Sequence, residues 1–319
     1  MIQNQYESND TIIDIADLDV VVLTFDEPKK EEFWIKIQNI VPWAKRVDGI
    51  KGIDNAHKAA ADASDTDRFI LIDGDNIPDV DFFNKQIRLE DWQEDCVFRW
   101  KARNVINGLC YGNGGISLWT KDFVHNMKTH ENSDGSAETS VEFCFDRKYL
   151  SMHNCYSTTY PNQTPFQAFR AGFREGVKMC LDRGHKPSLK DFEAKAHARN
   201  LDNLCVWMSV GADVENGEYA IYGAKLGTYM TMLTDWDYTE VHDFDKIQEI
   251  WDQYRANNLE HSNVNLITAQ IKNRLNLNIT EMNSEQSKFF KQHYSKIHTN
   301  VKNSMMTEMD VLNYFRGLQ

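Results

Sequence analysis

The sequence predicts an α/β fold: a mostly parallel, Rossmann-like sheet flanked by helices, followed by a mainly helical C-terminal region. Three observations support this prediction. Apolar runs rich in β-branched residues alternate with helical patterns, giving strand, helix, strand, helix and strand within about the first 75 residues. Two further strand-like runs follow before residue 120. Beyond residue 188 the apolar residues recur mostly at helical spacing.

The first predicted strand covers residues 18–25, LDVVVLTF, a continuous apolar run typical of a strand buried on both faces. A helix follows, with its apolar residues at helical spacing, and it ends before Pro42. A short strand at residues 45–47 then leads into the turn DGIKG at residues 48–52.

The alanine-rich residues 54–64 predict a second helix with Asp54 as its N-cap. Residues 68–72, RFILI, predict a third buried strand that ends at Asp73. Residues 141–146 fit either a strand or a helix. The remaining elements predicted in this half are strands at residues 96–100 and 115–119 and a helix at residues 166–180.

The C-terminal half is predicted to be helical, with one strand at residues 218–224. We divide the chain into an α/β domain, residues 1–185, and a mainly helical region, residues 186–319. No linker rich in Gly, Ser or Pro separates them, so we expect the two parts to pack tightly. The predicted helices are at residues 188–198, 244–256, 264–275, 284–302 and 305–317.

The composition is that of an ordinary globular protein, with 41% apolar and 12% aromatic residues, which excludes a disordered chain. The polar opening MIQNQYESND does not resemble a signal peptide, and no apolar run approaches the length of a membrane span. We therefore expect a cytoplasmic protein without membrane contact. The six cysteines form no CxxC pair, so we expect buried thiols rather than a zinc site or disulfides.

The net charge of −13 does not suggest a nucleic-acid binder, but the charge is unevenly distributed. Residues 255–303 hold seven Lys and Arg against three acids, an excess of +4. Basic and aromatic residues alternate there, as in KFFK at residues 288–291, and such a segment can bind a nucleic-acid strand. An amphipathic helix with a solvated basic face accounts for the same pattern.

The turn Asp73-Gly74-Asp75 is the strongest candidate for a chemical site. Ligands of parallel α/β sheets bind beyond the carboxyl ends of the strands, where Thr24, Asp26 and Asp48 are also predicted. Two carboxylates one residue apart on such a turn can bind a divalent cation that bridges the phosphates of a nucleotide diphosphate.

The same DGD turn could belong to a calcium loop, to a phosphatase or to a plain solvated turn. A helix-loop-helix calcium site needs Gly at its sixth position and Glu at its twelfth, where this chain has Pro78 and Asn84. A phosphatase with an aspartyl nucleophile has a hydroxyl residue after its second Asp, and Asn76-Ile77 supplies none. A solvated turn without function remains an alternative.

Several segments resemble GT-A fold glycosyltransferases, and more narrowly the bacteriophage TET/JBP-associated glycosyltransferases, which are linked to modified DNA bases. The resemblance covers roughly residues 18–230. Its segments are DGIKG at 48–52, NAHKAA at 55–60, FILIDGD at 69–75, GNGGISLW at 112–119, VEFCF at 141–145, STTYP at 157–161, FQAFRAGFREGVK at 166–178, NLCVWMSVG at 203–211 and YGAKLG at 222–227.

The resemblance implies a UDP-sugar as donor and Mn²⁺ or Mg²⁺ as cofactor. Thr24 and Asp48 would hold the uracil and ribose, with Lys58 nearby. Asp73 would contact the ribose or the metal, and Asp75 would be the principal metal ligand.

Further residues receive roles from the same resemblance. Gly114 and Gly115 would let the backbone approach the donor sugar closely. Glu142 would be the catalytic base, although it could equally cap a helix or pair with a neighbouring arginine. A histidine would complete the metal site, and His153 is the best-placed one. Its alternatives are a hydrogen-bonded structural role for His153, or His125 or His197 as the ligand.

Arg170, Arg174 and Lys178 are spaced to share one helix face, which could bind a diphosphate, bind DNA phosphate, or pair with neighbouring acids. The expected function is transfer of a sugar from a UDP-sugar to 5-hydroxymethylcytosine in phage DNA, with residues 272–302 contacting the duplex. A glycan or protein acceptor, or a non-catalytic DNA-binding accessory, are the alternatives. The sugar, the stereochemical outcome and the oligomeric state are left open.

Overall fold

The computed structural model describes residues 11–127, 129, 147–256 and 261–302. Its strands are β1 Thr11–Asp14, β2 Asp19–Thr24, β3 Lys45–Asp48, β4 Arg68–Asp73, β5 Asn76–Pro78, β6 Gln86–Leu89, β7 Val97–Asn104, β8 Cys110–Thr120 and β9 Tyr149–Thr159. Its helices are α1 Lys30–Ile40, α2 Ile53–Ala63, α3 Lys121–Asn126, α4 Pro165–Lys178, α5 Phe192–Lys195, α6 Ala198–Trp207, α7 Gly217–Leu233, α8 Phe244–Ala256, α9 His261–Leu275 and α10 Ser284–Lys302.

Seven strands form one sheet in the order β3-β2-β4-β8-β7-β9-β5, and β1 pairs with β6 beside it. The α/β class is confirmed, but the prediction of a mostly parallel sheet is wrong. β2 pairs in parallel with β3 and β4, and β7 with β9, whereas β8 runs antiparallel to both its neighbours and β5 antiparallel to β9. The sheet is mixed because β7 and β8 follow each other through a short connection, which joins antiparallel strands.

Strand alternation divides the core into two layers around the sheet. Val20 and Val22 of β2 face the layer that includes α1, together with Ile70 and Ile72 of β4. Val21 faces the opposite layer, where α2 and α3 pack. Burial on both faces explains why β2 and β4 are apolar without interruption in the sequence.

The helical half is organised around a stripe of small residues that joins α4 to α7. A Cβ on Gly172 would lie 1.9 Å from the carbonyl oxygen of Ala220, and one on Gly223 would lie 2.2 Å from that of Phe169. The two helix backbones therefore touch, and only glycine fits at these positions. The predicted strand at residues 218–224 is wrong, because its small residues at four-residue spacing line this helix contact.

The other element predictions hold to within a few residues, except for the helix at residues 188–198 and the N-cap at residue 54. The range 188–198 contains only the four-residue α5, and α6 begins at its end. Asp54 is not the N-cap of α2, since that position is Gly52 and makes no side-chain cap bond. Asp54 instead lies buried and accepts a hydrogen bond of 2.7 Å from the hydroxyl of Thr129. The segments predicted at residues 141–146 and 305–317 lie outside the described residues.

Residues on both sides of position 185 share one apolar core, which contains Ile106 and Phe169 as well as Trp207 and Ile271. The cysteines within the described ranges are free thiols, and Cys205 is the least buried of them. No helix in the described part of the chain is long and apolar enough to cross a membrane.

Candidate functional site

The DGD turn lies at the edge of the sheet where β2 and β4 end. These strands pair in parallel with Leu23 opposite Asp73, so the turn sits beside the end of β2. A Cβ on Gly74 would lie 2.8 Å from Cγ2 of Thr24 and 2.9 Å from the carbonyl oxygen of Leu23. The glycine between the aspartates is therefore needed for the close approach of the turn to β2.

The carboxylate of Asp75 is held by two side chains. The amide of Asn76 donates to Oδ1 at 2.8 Å, and the hydroxyl of Thr159, at the end of β9, donates to Oδ2 at 3.2 Å. The N–H of Tyr160 donates to the Asp75 carbonyl at 2.8 Å. Asp75 is thus fixed between two strand ends, with one hydrogen bond on each carboxylate oxygen.

Gly115 makes room for Asn76. Its φ is +72°, and a Cβ there would lie 2.1 Å from the amide nitrogen of Asn76. Asn76 is buried and also accepts a hydrogen bond of 3.1 Å from Ser157. The glycine predicted to face a donor sugar is packed against the side chain that orients Asp75. Gly114 lies beside it on the backbone of β8.

Burial raises the pKa of three carboxylates at this edge. Burial, followed by the charges of Asp75 and Glu27, raises the pKa of Asp73 to about 7. Asp73 is nevertheless exposed to solvent, so water screens these effects on its carboxylate. Burial also raises the pKa of Asp75, opposed by the bonds from Thr159 and Asn76. The pKa of Glu27 is raised by burial and then by Asp75 and Asp26. A cation bound beside these carboxylates would stabilise their charged forms.

A cleft of about 170 Å³ opens against Asp75. Acidic side chains form one wall, and the α4 face of Gln167, Arg170 and Arg174 forms the other. This volume is below the roughly 300–1,000 Å³ of a typical small-molecule site, so the cleft matches part of a nucleotide sugar rather than the whole. Its lining residues are Asp26, Glu27, Asp75, Tyr160, Pro161, Gln163, Gln167, Arg170, Ala171 and Arg174.

Thr24 and Asp48 are brought together, as predicted from their strand ends. The Thr24 hydroxyl donates to Asp48 at 2.6 Å, and the ammonium of Lys30 donates to both Asp48 oxygens at 2.8 and 2.9 Å. These bonds, with Arg46 nearby, lower the pKa of Asp48. Lys58 lies half-buried on α2, and within the described ranges no contact joins it to Thr24 or Asp48.

The predicted histidines do not lie with the aspartates. His153 precedes Thr159 by six residues on β9, and at about 3.3 Å per residue this places it roughly 20 Å from the Asp75 contact. Burial and the charges of Lys101 and Arg199 lower the pKa of His153.

The two alternative histidines have structural contacts instead. His125 lies 3.3 Å from the carboxylate of Asp62, and His197 caps the N-terminus of α6 by accepting from the N–H of Arg199. The predicted base, Glu142, lies outside the described residues.

Glu27, Asn76 and Lys30 belong to the site, although the sequence did not single them out. Glu27 and Asn76 are immediate neighbours of predicted residues, and the signal available for them was a polar side chain directly after a buried strand. Lys30 begins α1, and only the tertiary structure brings it to Asp48.

The donors present suit Mg²⁺ or Mn²⁺, which favour carboxylate oxygens and often take only one or two carboxylates together with substrate phosphates. Among the described residues, no three His, Cys, Asp or Glu side chains converge as a ready-made metal site. Asp73 and Asp75 could therefore hold the ion only with oxygens supplied by water or by a ligand.

The basic C-terminal segment is only partly available to a partner. Lys291 forms an ion pair of 2.6 Å with the largely buried Asp213 and donates to the Val105 carbonyl at 3.2 Å. Lys288 and Phe289 are exposed on α10. Of these two lysines, Lys288 is therefore the one whose side chain is exposed for contact with a partner.

Comparisons with models of protein families, with curated proteins and with solved structures found no match to this chain.

Proposed function

We propose that this chain is a metal-assisted glycosyltransferase that takes a sugar from a nucleoside diphosphate sugar, with UDP-sugar as the expected donor. The observation that supports the proposal best is the cluster of Asp73, Asp75 and Glu27 at the ends of two parallel strands. Burial raises the pKa of all three carboxylates, although hydrogen bonds from Thr159 and Asn76 oppose the rise at Asp75. Such a cluster suits a divalent cation and a bound diphosphate.

Each residue of the site has a defined task in this proposal. Asp73 and Asp75 would hold Mn²⁺ or Mg²⁺, and Asn76 and Thr159 keep the Asp75 carboxylate in one orientation. The metal, when bound, would neutralise charge that develops on the departing diphosphate. Thr24 and Asp48 lie where a nucleoside could contact the end of β2. Glu142 is proposed to take the proton from the acceptor hydroxyl.

The acceptor we propose is the hydroxyl of 5-hydroxymethylcytosine in DNA. It follows from the resemblance of residues 18–230 to the phage glycosyltransferases rather than from the charge of the chain. The hydroxymethyl group lies in the major groove, where a protein can reach it in a paired base or after flipping.

The test is incubation of the full chain with Mn²⁺, several UDP-sugars and hydroxymethylated DNA, followed by mass spectrometry of the nucleosides. Unmodified DNA and a panel of glycans serve as competing acceptors. We expect a mass increase on hydroxymethylcytosine that requires the metal. The size of the increase identifies the sugar.

Asp75→Asn is the matching variant, and Asp81→Asn is its control because Asp81 is an exposed aspartate outside the cleft. We expect D75N to reduce transfer about 100-fold or more and D81N to have no effect. Transfer to a glycan instead of DNA would keep the proposed glycosyltransferase and rule out hydroxymethylcytosine as its acceptor. Equal transfer by D75N and the unmodified chain, or no transfer with any donor, would refute the proposed function.

A further inference from the structure

The wall of the cleft opposite the carboxylates is built from one face of α4. Gln167, Arg170 and Arg174 follow one another at three- and four-residue spacing, so they project from the same side of the helix into the cleft. The helix is fixed at its start by Thr164, whose hydroxyl accepts from the N–H of Gln167 at 3.1 Å. The wall is thus set on a rigid element rather than on a loop.

Aromatic rings hold the two guanidinium groups. The ring centre of Phe244, the first residue of α8, lies 4.4 Å from the Arg170 guanidinium carbon and 5.0 Å from that of Arg174. Phe166 lies 5.6 Å from Arg170 on the same helix. A ring over a guanidinium occupies its face and leaves the N–H groups at its edge available for planar recognition.

Polar atoms of this wall lack partners. The Nε of Arg174 and the Oε1 of Gln167 are buried and have no hydrogen bond, although buried polar atoms in proteins nearly always have one. Within the described part of the chain, neither Arg170 nor Arg174 makes an ion pair within 4.0 Å. Guanidinium groups that line a cleft without an ion pair indicate a ligand that accepts hydrogen bonds. The Oε1 of Gln167 is itself an acceptor and does not contribute to this argument.

The acidic and basic walls of the cleft face one another without a direct ion pair between them. Arg170 interacts electrostatically with Asp26, Glu27 and Asp75 but forms no direct ion pair with them. A ligand that fits between the two walls must therefore be anionic towards α4 and must bring a cation towards the carboxylates. A diphosphate with a divalent metal has this arrangement of charge.

We propose that Arg170 and Arg174 bind the diphosphate of the donor. This assignment rests on the proposed function and deepens it, because it places direct phosphate recognition on α4 as well as on the metal. The small volume of the cleft favours a diphosphate over the backbone of a duplex, which is too wide to enter it.

The test measures binding of inorganic pyrophosphate to the full chain by titration calorimetry, with Mn²⁺ and again with EDTA. The variants are Arg170→Gln, Arg174→Gln and Arg174→Lys, and Arg88→Gln is the control because Arg88 is exposed on β6 outside the cleft. Thermal melting checks that each variant is folded. A short DNA duplex without the hydroxymethyl group is titrated in parallel.

We expect R170Q and R174Q each to weaken pyrophosphate binding in Mn²⁺ about tenfold or more, with R88Q unchanged. R174K keeps the charge but loses the Nε–H, so it should bind less tightly than the unmodified chain. If the variants bind pyrophosphate as the unmodified chain does, or if R88Q weakens binding equally, the assignment is wrong. A loss confined to DNA binding would assign the wall to the acceptor and also overturn it.

The two proposals can fail separately. Arginine-dependent pyrophosphate binding in a chain that transfers no sugar would leave the α4 assignment standing and remove the glycosyltransferase. Sugar transfer by a chain whose pyrophosphate binding does not depend on Arg170 or Arg174 would support the glycosyltransferase and remove the α4 assignment.

Discussion

Gly115→Ala tests whether the site depends on the packing of Asn76. Gly115 has φ +72°, and the added methyl group would lie 2.1 Å from the Asn76 amide nitrogen and 2.6 Å from its Cγ. Asn76 would have to move, which would break its bond to Asp75 and the bond it accepts from Ser157. Gly49→Ala is the matched control, because Gly49 has φ +76° and its Cβ would meet nothing within 4 Å.

Both substitutions add the strain of a left-handed backbone, about 1–2 kcal/mol. Only G115A also loses the two hydrogen bonds of Asn76, one buried and one partly buried, at about 0.5–1.5 kcal/mol each. The free energy of unfolding of G115A should therefore fall below that of G49A by roughly 1–3 kcal/mol. Urea denaturation measures the difference, and Mn²⁺ affinity should fall in G115A alone. Equal destabilisation by the two variants, with unchanged Mn²⁺ affinity in G115A, would contradict the packing we describe.

Three further predictions concern stability. The pKa of His153 is lowered from 6.5 by burial and then by neighbouring cations. The folded state therefore binds fewer protons than the unfolded state below that pH, and acidification from pH 7 to 5.5 should destabilise the unmodified chain more than H153N, as measured by urea denaturation. Glu281→Ala leaves the ammonium of Lys225, which is 1% exposed, without its 2.5 Å partner. We expect a loss of about 1–3 kcal/mol, largely recovered in the double variant K225M/E281A; an additive result in this mutant cycle would contradict the coupling. Gly176→Ala would place a methyl group 2.4 Å from the Ala224 carbonyl oxygen. It should lower the free energy of unfolding by about 1–3 kcal/mol, and an unchanged midpoint in urea would show that α4 and α7 can separate.

The succession along the chain of strands β2, β3 and β4, with the helices between them, could be predicted from local pattern. β2 and β4 are apolar without a break because both of their faces are covered, and α1 and α2 carry their apolar residues at helical spacing. Local pattern was misleading for α7. Its small and apolar residues resemble a strand, and its true partner, α4, lies some fifty residues earlier in the chain.

Within the candidate site, the sequence determined the pair of aspartates and their place at a strand end, because the polarity of the chain changes abruptly where β4 leaves the core. It also determined that Thr24 and Asp48 would meet, since parallel strands end at one edge of a sheet.

Tertiary structure alone decided which side chains surround them. Thr159 of β9 donates a hydrogen bond to Asp75, and Arg170 of α4 acts on it electrostatically without an ion pair. His153, on the same strand as Thr159, lies in a different neighbourhood. Strand periodicity is local, whereas the antiparallel insertion of β8 and the contact of α4 with α7 depend on residues far apart in the chain. For that reason the sequence indicated the DGD turn and the helix face of Arg170 and Arg174 separately, and only the tertiary structure brought Asp75 and the two arginines to one cleft.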